Sequence, residues 1–100
     1  MSEVMELVKF RVTKEASPKA IAEGSRELTD WARGQPGFVS RVLVGPDERG
    51  TYTDIVRWKS MEAAKAAADV MPTVDSLKGF MTLLDMTSVE MAHVPVVNGS

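Results

Sequence analysis

The run from Phe38 to Lys59, FVSRVLV-GPDERG-TYTDIVRWK, decides the fold. Valine, phenylalanine, tyrosine, isoleucine and tryptophan dominate both outer segments, and such side chains suit a pleated, half-buried surface. The spacer Gly45-Pro46-Asp47-Glu48-Arg49-Gly50 is turn chemistry throughout, so the run reads as a hairpin with a long loop. Upstream, Ser17-Pro18 opens a helix: serine offers an N-cap oxygen and proline at the first position gives up only an orphan N–H. Ile21, Leu28, Trp31 and Ala32 recur at helical spacing, while Lys19, Glu23, Arg26, Glu27, Asp30 and Arg33 form a solvated opposite face. Gly34 is expected as a left-handed cap, and Gln35-Pro36-Gly37 stops the helix. Before it, Val8, Phe10 and Val12 alternate with Lys9, Arg11 and Thr13, which predicts a first strand over Val4 to Thr13.

Downstream of the hairpin, Ser60 caps an alanine-rich helix with Ala64, Ala67, Ala68 and Met71 as its thin apolar stripe. Pro72 breaks it, and Val74, Leu77, Phe80 and Leu84 predict a second helical turn. A last strand is expected over Met86 to Val94, with Pro95 to Ser100 as a flexible tail. The order is β-α-β-β-α-β, the ferredoxin-like α+β arrangement of one antiparallel four-stranded sheet with two helices on one face, across a single domain of residues 1–100. Right-handed crossovers place the first and third strands in the centre.

Composition narrows the function classes. Hydrophobic residues make up 44% of 100 residues, and 12 Lys+Arg against 14 Asp+Glu give a net charge of -2. A nucleic-acid or anionic-membrane partner needs excess basic charge, so neither is expected. Without cysteine there is no thiol nucleophile and no thiolate metal site, and a single histidine excludes a His/His/carboxylate zinc centre. The acidic start lacks the apolar core of a secretory signal, and no apolar run approaches the roughly 18 residues of a membrane span, so the expected compartment is the cytoplasm.

Strand parity says more. Met5 and Leu7 oppose Val8 and Phe10; Val39 and Leu43 oppose Phe38, Val42 and Val44; Ile55 opposes Tyr52, Val56 and Trp58; Met86, Ala92 and Val94 oppose Val89 and Met91. Both faces of the sheet are therefore apolar, although helices cover only one. A face of several hundred Å² left in water marks an interface, and a two-fold partner of the same chain is its simplest cover. The expectation is a homodimer through the sheet face.

Two stretches carry a resemblance. Gln35-Pro36-Gly37-Phe38 and Ile55-Val56-Arg57-Trp58-Lys59-Ser60-Met61-Glu62-Ala63-Ala64, with Phe80 before the last strand, resemble the dimeric α+β barrel superfamily, and within it the antibiotic biosynthesis monooxygenase-like domains. The resemblance implies two sheets closing a barrel across a dimer axis and a cavity between each sheet and its own helices. Some members oxidise small aromatic or polyketide-like substrates with molecular oxygen and no cofactor; others degrade haem, isomerise lactones or only bind ligands. Haem-degrading members use a histidine on the second helix with an asparagine and a tryptophan. Here that helix has none, and the only asparagine is Asn98. Many members also carry a glutamate just before the strand-ending tryptophan, where this chain has Val56 and Arg57.

The candidate proton acceptors are His93, the one side chain whose ordinary pKa lies near neutrality, and Asp54, a carboxylate sharing parity with Tyr52 and Trp58. The alternatives are a strand-end histidine and an edge aspartate. Trp31, Tyr52, Trp58 and Phe80 are the expected walls of a pocket for a small apolar or aromatic ligand, or else plain core. Arg57 is expected to meet Glu90 or another carboxylate. The competing reading is a non-catalytic ligand-binding or structural dimer module; a sensing domain of a regulator is a third.

Overall fold

The serine hydroxyls start the two longer helices as their sequence context predicts. Ser17 Oγ accepts the Ala20 N–H at 3.0 Å and Ser60 Oγ accepts the Ala63 N–H at 3.1 Å. In the computed structural model, which describes residues 2–99, the elements are β1 (Val4–Val12), α1 (Pro18–Arg33), β2 (Phe38–Val44), β3 (Tyr52–Trp58), α2 (Met61–Val70), a 3-10 turn (Met71–Thr73), α3 (Asp75–Met81) and β4 (Leu84–Pro95). The sheet order is β2-β3-β1-β4, all antiparallel, so the first and third strands are central as the crossover rule requires. No helix is long and apolar enough to cross a membrane among the described residues.

Three local expectations need correction. Gly34 is right-handed, with φ -84°; the left-handed residue is Gly37, at φ 83°. An added Cβ at Gly37 would lie 2.5 Å from the Ala63 Cβ, so the glycine lets the loop pass against α2. β4 begins earlier, at Leu84. It also runs on through Pro95, and the Val96 N–H donates to the Glu3 carbonyl at 2.8 Å, so the chain stays attached beyond the predicted strand end. Ser100 lies outside the described residues. In the hairpin loop the Asp47 carboxylate accepts the Arg49 and Thr51 N–H groups, which hold its pKa below the usual aspartate value.

Packing divides into two clusters on the helix-covered face. Phe10, Ile21, Leu28, Leu77, Phe80 and Leu84 form one; Val4, Val56, Trp58, Ala64 and Ala67 form the other, with Trp31 against both. The small residues of α2 let it lie close over β1 and β3, the close approach that its alanine stripe anticipates. Close approach is sharper where α1 meets α3. A Cβ added at Gly24 would fall 2.4 Å from Phe80 Cδ1 and 3.0 Å from its Cβ. Gly24→Ala must displace a packed phenylalanine, and overpacking of this kind costs about 1–3 kcal/mol. The melting temperature is expected to fall by roughly 4–8 °C for each kcal/mol lost, read by circular dichroism.

Candidate functional site

The site begins with an irregularity. β2 pairs Phe38 with Trp58 but Ser40 with Arg57, so one extra residue bulges at Val39 and the side-chain alternation changes phase. Strict alternation places Phe38 with Val42 and Val44; the structure instead puts Phe38, Arg41 and Leu43 on the helix side and leaves Val42 and Val44 exposed on the outer face. The bulge thus swings a guanidinium into the interior.

Arg41 is almost wholly buried there. Its Nη2 and Nε donate to Oδ2 of Asp54 at 2.8 and 3.2 Å, and its Nη1 donates to the carbonyl and hydroxyl of Ser25 and the hydroxyl of Thr29, all within 3.0 Å. Arg41 therefore ties β2 to β3 and both to α1. Asp54 is 6% exposed. Burial raises its pKa above the usual aspartate value, an effect that outweighs the opposing pull of Arg41. Both contacts from Arg41 fall on one oxygen, and Oδ1 has no protein partner.

Asp54 lines a cavity of about 180 Å³ between the sheet and its own helices. Trp31, Trp58 and Phe80 line it, as do Val8, Val56, Ala67, Ala68 and Met71. Trp58 is held edge-on by Phe38, ring centres 5.8 Å apart, and its Nε1 is also buried without a partner. An apolar chamber thus carries one free acceptor and one free donor. Leaving such a group unpaired costs about 1–3 kcal/mol, which a core selected only for packing would not retain. Met86 and Met91, exposed at 58% and 50%, form a rim on β4. A second bulge makes that rim. Lys9 pairs with Glu90 and Arg11 with Asp85, so residues 86–89 face Phe10 alone. It also corrects the parity of β4, because Met86, Val89 and Met91 all reach the cavity.

The other expected site residues lie elsewhere. Tyr52 stacks on Phe10 at 5.7 Å and lines a separate cleft of about 610 Å³ between α1 and β2, not the cavity. Arg41 lines both and stands between them. His93 does not line the cavity; its Nε2 is 2.7 Å from Oε2 of Glu6, which does. Arg57 meets Glu3, not Glu90: its Nε donates to Oε1 at 2.7 Å. Glu6 and Arg41 are the two site residues that sequence reasoning missed. Glu6 was open to view, a carboxylate at the parity of Val4, Val8 and Phe10; Arg41 was hidden by the bulge. Among the described residues no three of His, Asp and Glu converge as a metal site would require.

No family model matches the sequence, and no curated protein does. Solved structures do match. A variant of SnoaB, a cofactor-independent oxygenase from Streptomyces nogalater, superposes with a TM-score of 0.79 at 18% identity, over 99% of this chain and 97% of its own. The heme-degrading protein Rv3592 from Mycobacterium tuberculosis gives 0.72 at 19%, over 99% and 96%. A candidate antibiotic biosynthesis monooxygenase from Chloroflexus aurantiacus gives 0.66 at 21%, over 99% and 97%. The chain has their fold. That agreement matches the expected ferredoxin-like arrangement of the monooxygenase-like domains, and at these identities it extends to the fold alone.

The Arg41–Asp54 pair yields a stability test. Arg41→Ala strands a buried carboxylate, and breaking such a pair costs about 3–5 kcal/mol. Replacing both, as Arg41→Met with Asp54→Leu, is expected to recover most of that loss. Urea midpoints of the two variants and the parent check the order.

Proposed function

We propose that the cavity binds a small, planar, largely apolar molecule and that the protein oxidises it with molecular oxygen, the electrons coming from the substrate itself. The observation that carries this reading is the free Oδ1 of Asp54, a buried carboxylate of raised proton affinity in a largely apolar chamber that it shares with Arg41 and Glu6. Asp54 removes a proton from an activated methylene of the substrate. The carbanion passes an electron to O₂, the radical pair combines as a C–O bond, and the peroxide oxygen takes up the proton. Loss of water from the hydroperoxide leaves a carbonyl, so that R₂CH₂ and O₂ give R₂C=O and H₂O. Trp58 Nε1 supplies a hydrogen bond to a substrate oxygen on which negative charge accumulates. The Val, Ala, Met and Phe walls keep water from the carbanion. An apolar cavity of about 150 Å³ admits benzene, so this one, at about 180 Å³, takes one aromatic ring, with further fused rings at the methionine rim. The oxygenase neighbour supports the same reading.

The test is oxygen uptake with 1,8-dihydroxyanthrone, using ¹⁸O₂ to follow the label into the product carbonyl. Asp54 accepts a proton only when ionised. The rate is therefore expected to fall as pH drops through the Asp54 pKa, on a limb displaced above 3.8. Asp54→Asn is expected to abolish that limb and to lower kcat by about 10²–10⁴-fold. Binding of the anthrone without oxygen uptake would favour the non-catalytic alternative instead.

The outer sheet face belongs to the same proposal. Met5, Leu7, Val42, Val44, Ile55 and Val94 lie there, with Lys9, Arg11, Arg57 and Glu90 between them. We assign that face to a second copy of the chain, closing a barrel of two sheets in a cytoplasmic homodimer. Light scattering at micromolar concentration is expected to return about twice the 10.9 kDa chain mass, and Val42→Glu to return the monomer. A wild-type mass of one chain overturns the dimer.

A further inference from the structure

We propose that Glu6 is a second proton-handling group of the cavity and that His93, behind it, exchanges its proton with solvent. The assignment rests on the oxygenase reading for its chemistry, though not for all of its tests. Among the described residues, Glu6, Asp54 and Arg41 are the only charged ones lining the cavity. Glu6 is opposite Val56 and Asp54 is opposite Val8, so the two carboxylates occupy diagonal positions on one sheet face. Diagonal neighbours lie about 7–8 Å apart, a spacing that admits a planar ligand between two acidic groups. Arg41 occupies one oxygen of Asp54, whereas Glu6 is bound on its far side by His93 Nε2 at 2.7 Å, with both side chains largely buried. Oε1 of Glu6 and Nδ1 of His93 have no hydrogen-bond partner among the described residues.

The chemistry gives Glu6 a defined task. Asp54 takes the first C–H proton and returns it to the peroxide. For water to leave, the remaining C–H proton must be removed while the departing oxygen is protonated. Asp54 removes that proton, and the C–H electron pair becomes the second bond of the carbonyl. The O–O pair departs with the distal oxygen, which takes a proton from Glu6. Asp54 then discharges to the product water, and His93 delivers a solvent proton to Glu6. No charged group of α2 takes part, because the α2 residues facing the cavity are Ala67 and Ala68. On the strands the groups that face the pair are uncharged Val4, Val8, Val56 and Met91, with Asp54 and Arg41 one step along.

The experiment uses turnover of 1,8-dihydroxyanthrone by the full chain, with thermal melts to confirm folding. Glu6→Gln is expected to lower kcat about a hundredfold, with KM within about twofold. His93→Ala is expected to lower kcat about tenfold, and added imidazole to restore most of it, which a merely structural role would not permit. Wild-type turnover in either variant, or a folded His93→Ala protein that imidazole does not restore, overturns the proposal. If the parent protein consumes no oxygen, the oxygenase reading fails and the relay is judged separately. The chain has one histidine, so its ring ¹⁵N resonances are unambiguous in a pH titration. Saturating 2-naphthol is expected to move the His93 midpoint by about half a pH unit or more, and Glu6→Gln to remove the effect. An unmoved midpoint, or the same movement without the Glu6 carboxylate, overturns the relay.

Discussion

A buried guanidinium holding one oxygen of a buried carboxylate is the constraint on which the site depends. Arg41 reaches β3 through Asp54 and α1 through Ser25 and Thr29, so three elements meet on one cation. Two charges taken out of water are costly, and their mutual attraction offsets that cost only with good geometry and further hydrogen bonds. Here the guanidinium has those bonds and the carboxylate does not. Burial raises the proton affinity of Asp54 against the pull of Arg41, and the missing partner leaves Oδ1 open to a proton. Stability and reactivity are thus set against each other within one ion pair.

Both bulges serve the cavity. The one at Val39 turns Arg41 inward, and without it that side chain would fall with Val39 and Leu43 on the outer side of the sheet while Val42 and Val44 faced the helices. The one over residues 86–89 brings Met86 and Val89 to the wall of the cavity and leaves a flexible thioether rim on the edge strand. Methionine suits that place, since its unbranched chain adapts to ligands of different outline.

The fold was legible because its signals are local and periodic: the serine caps, the alanine stripe, the hairpin loop and the alternation of β1. Trp31, Trp58 and Phe80 were also legible as residues of the cavity wall, since bulky aromatics at the correct helical phase or strand parity face the space between sheet and helices. Arg41 was not. A bulge leaves only a weak trace in sequence, here the presence of apolar residues at both parities of FVSRVLV, and that trace was equally explained by a second buried face. His93 drew attention by its chemistry and Glu6 stood at an inward parity, but that the two meet is visible only once β4 is paired with β1, a register that no local signal specifies. Tyr52 has the expected parity, but the Arg41 side chain stands between its cleft and the cavity.

The two faces of the sheet divide the work. On the inner face charge is rare and each charged side chain has a defined neighbour: Asp54 with Arg41, Glu6 with His93. On the outer face charge is interspersed with half-exposed apolar side chains, and Arg57 pairs with Glu3 at the margin. An inner face of this kind suits the proposed small apolar ligand, because in a low dielectric each unpaired group discriminates strongly. An outer face of the second kind suits the proposed second copy of the chain, where apolar area would supply affinity and spaced charges would set the register. Central strands that alternate side chains between the two environments couple them directly. Ile55 lies between Asp54 and Val56 in sequence, so whatever fixes the outer face of β3 also fixes the position of the carboxylate inside.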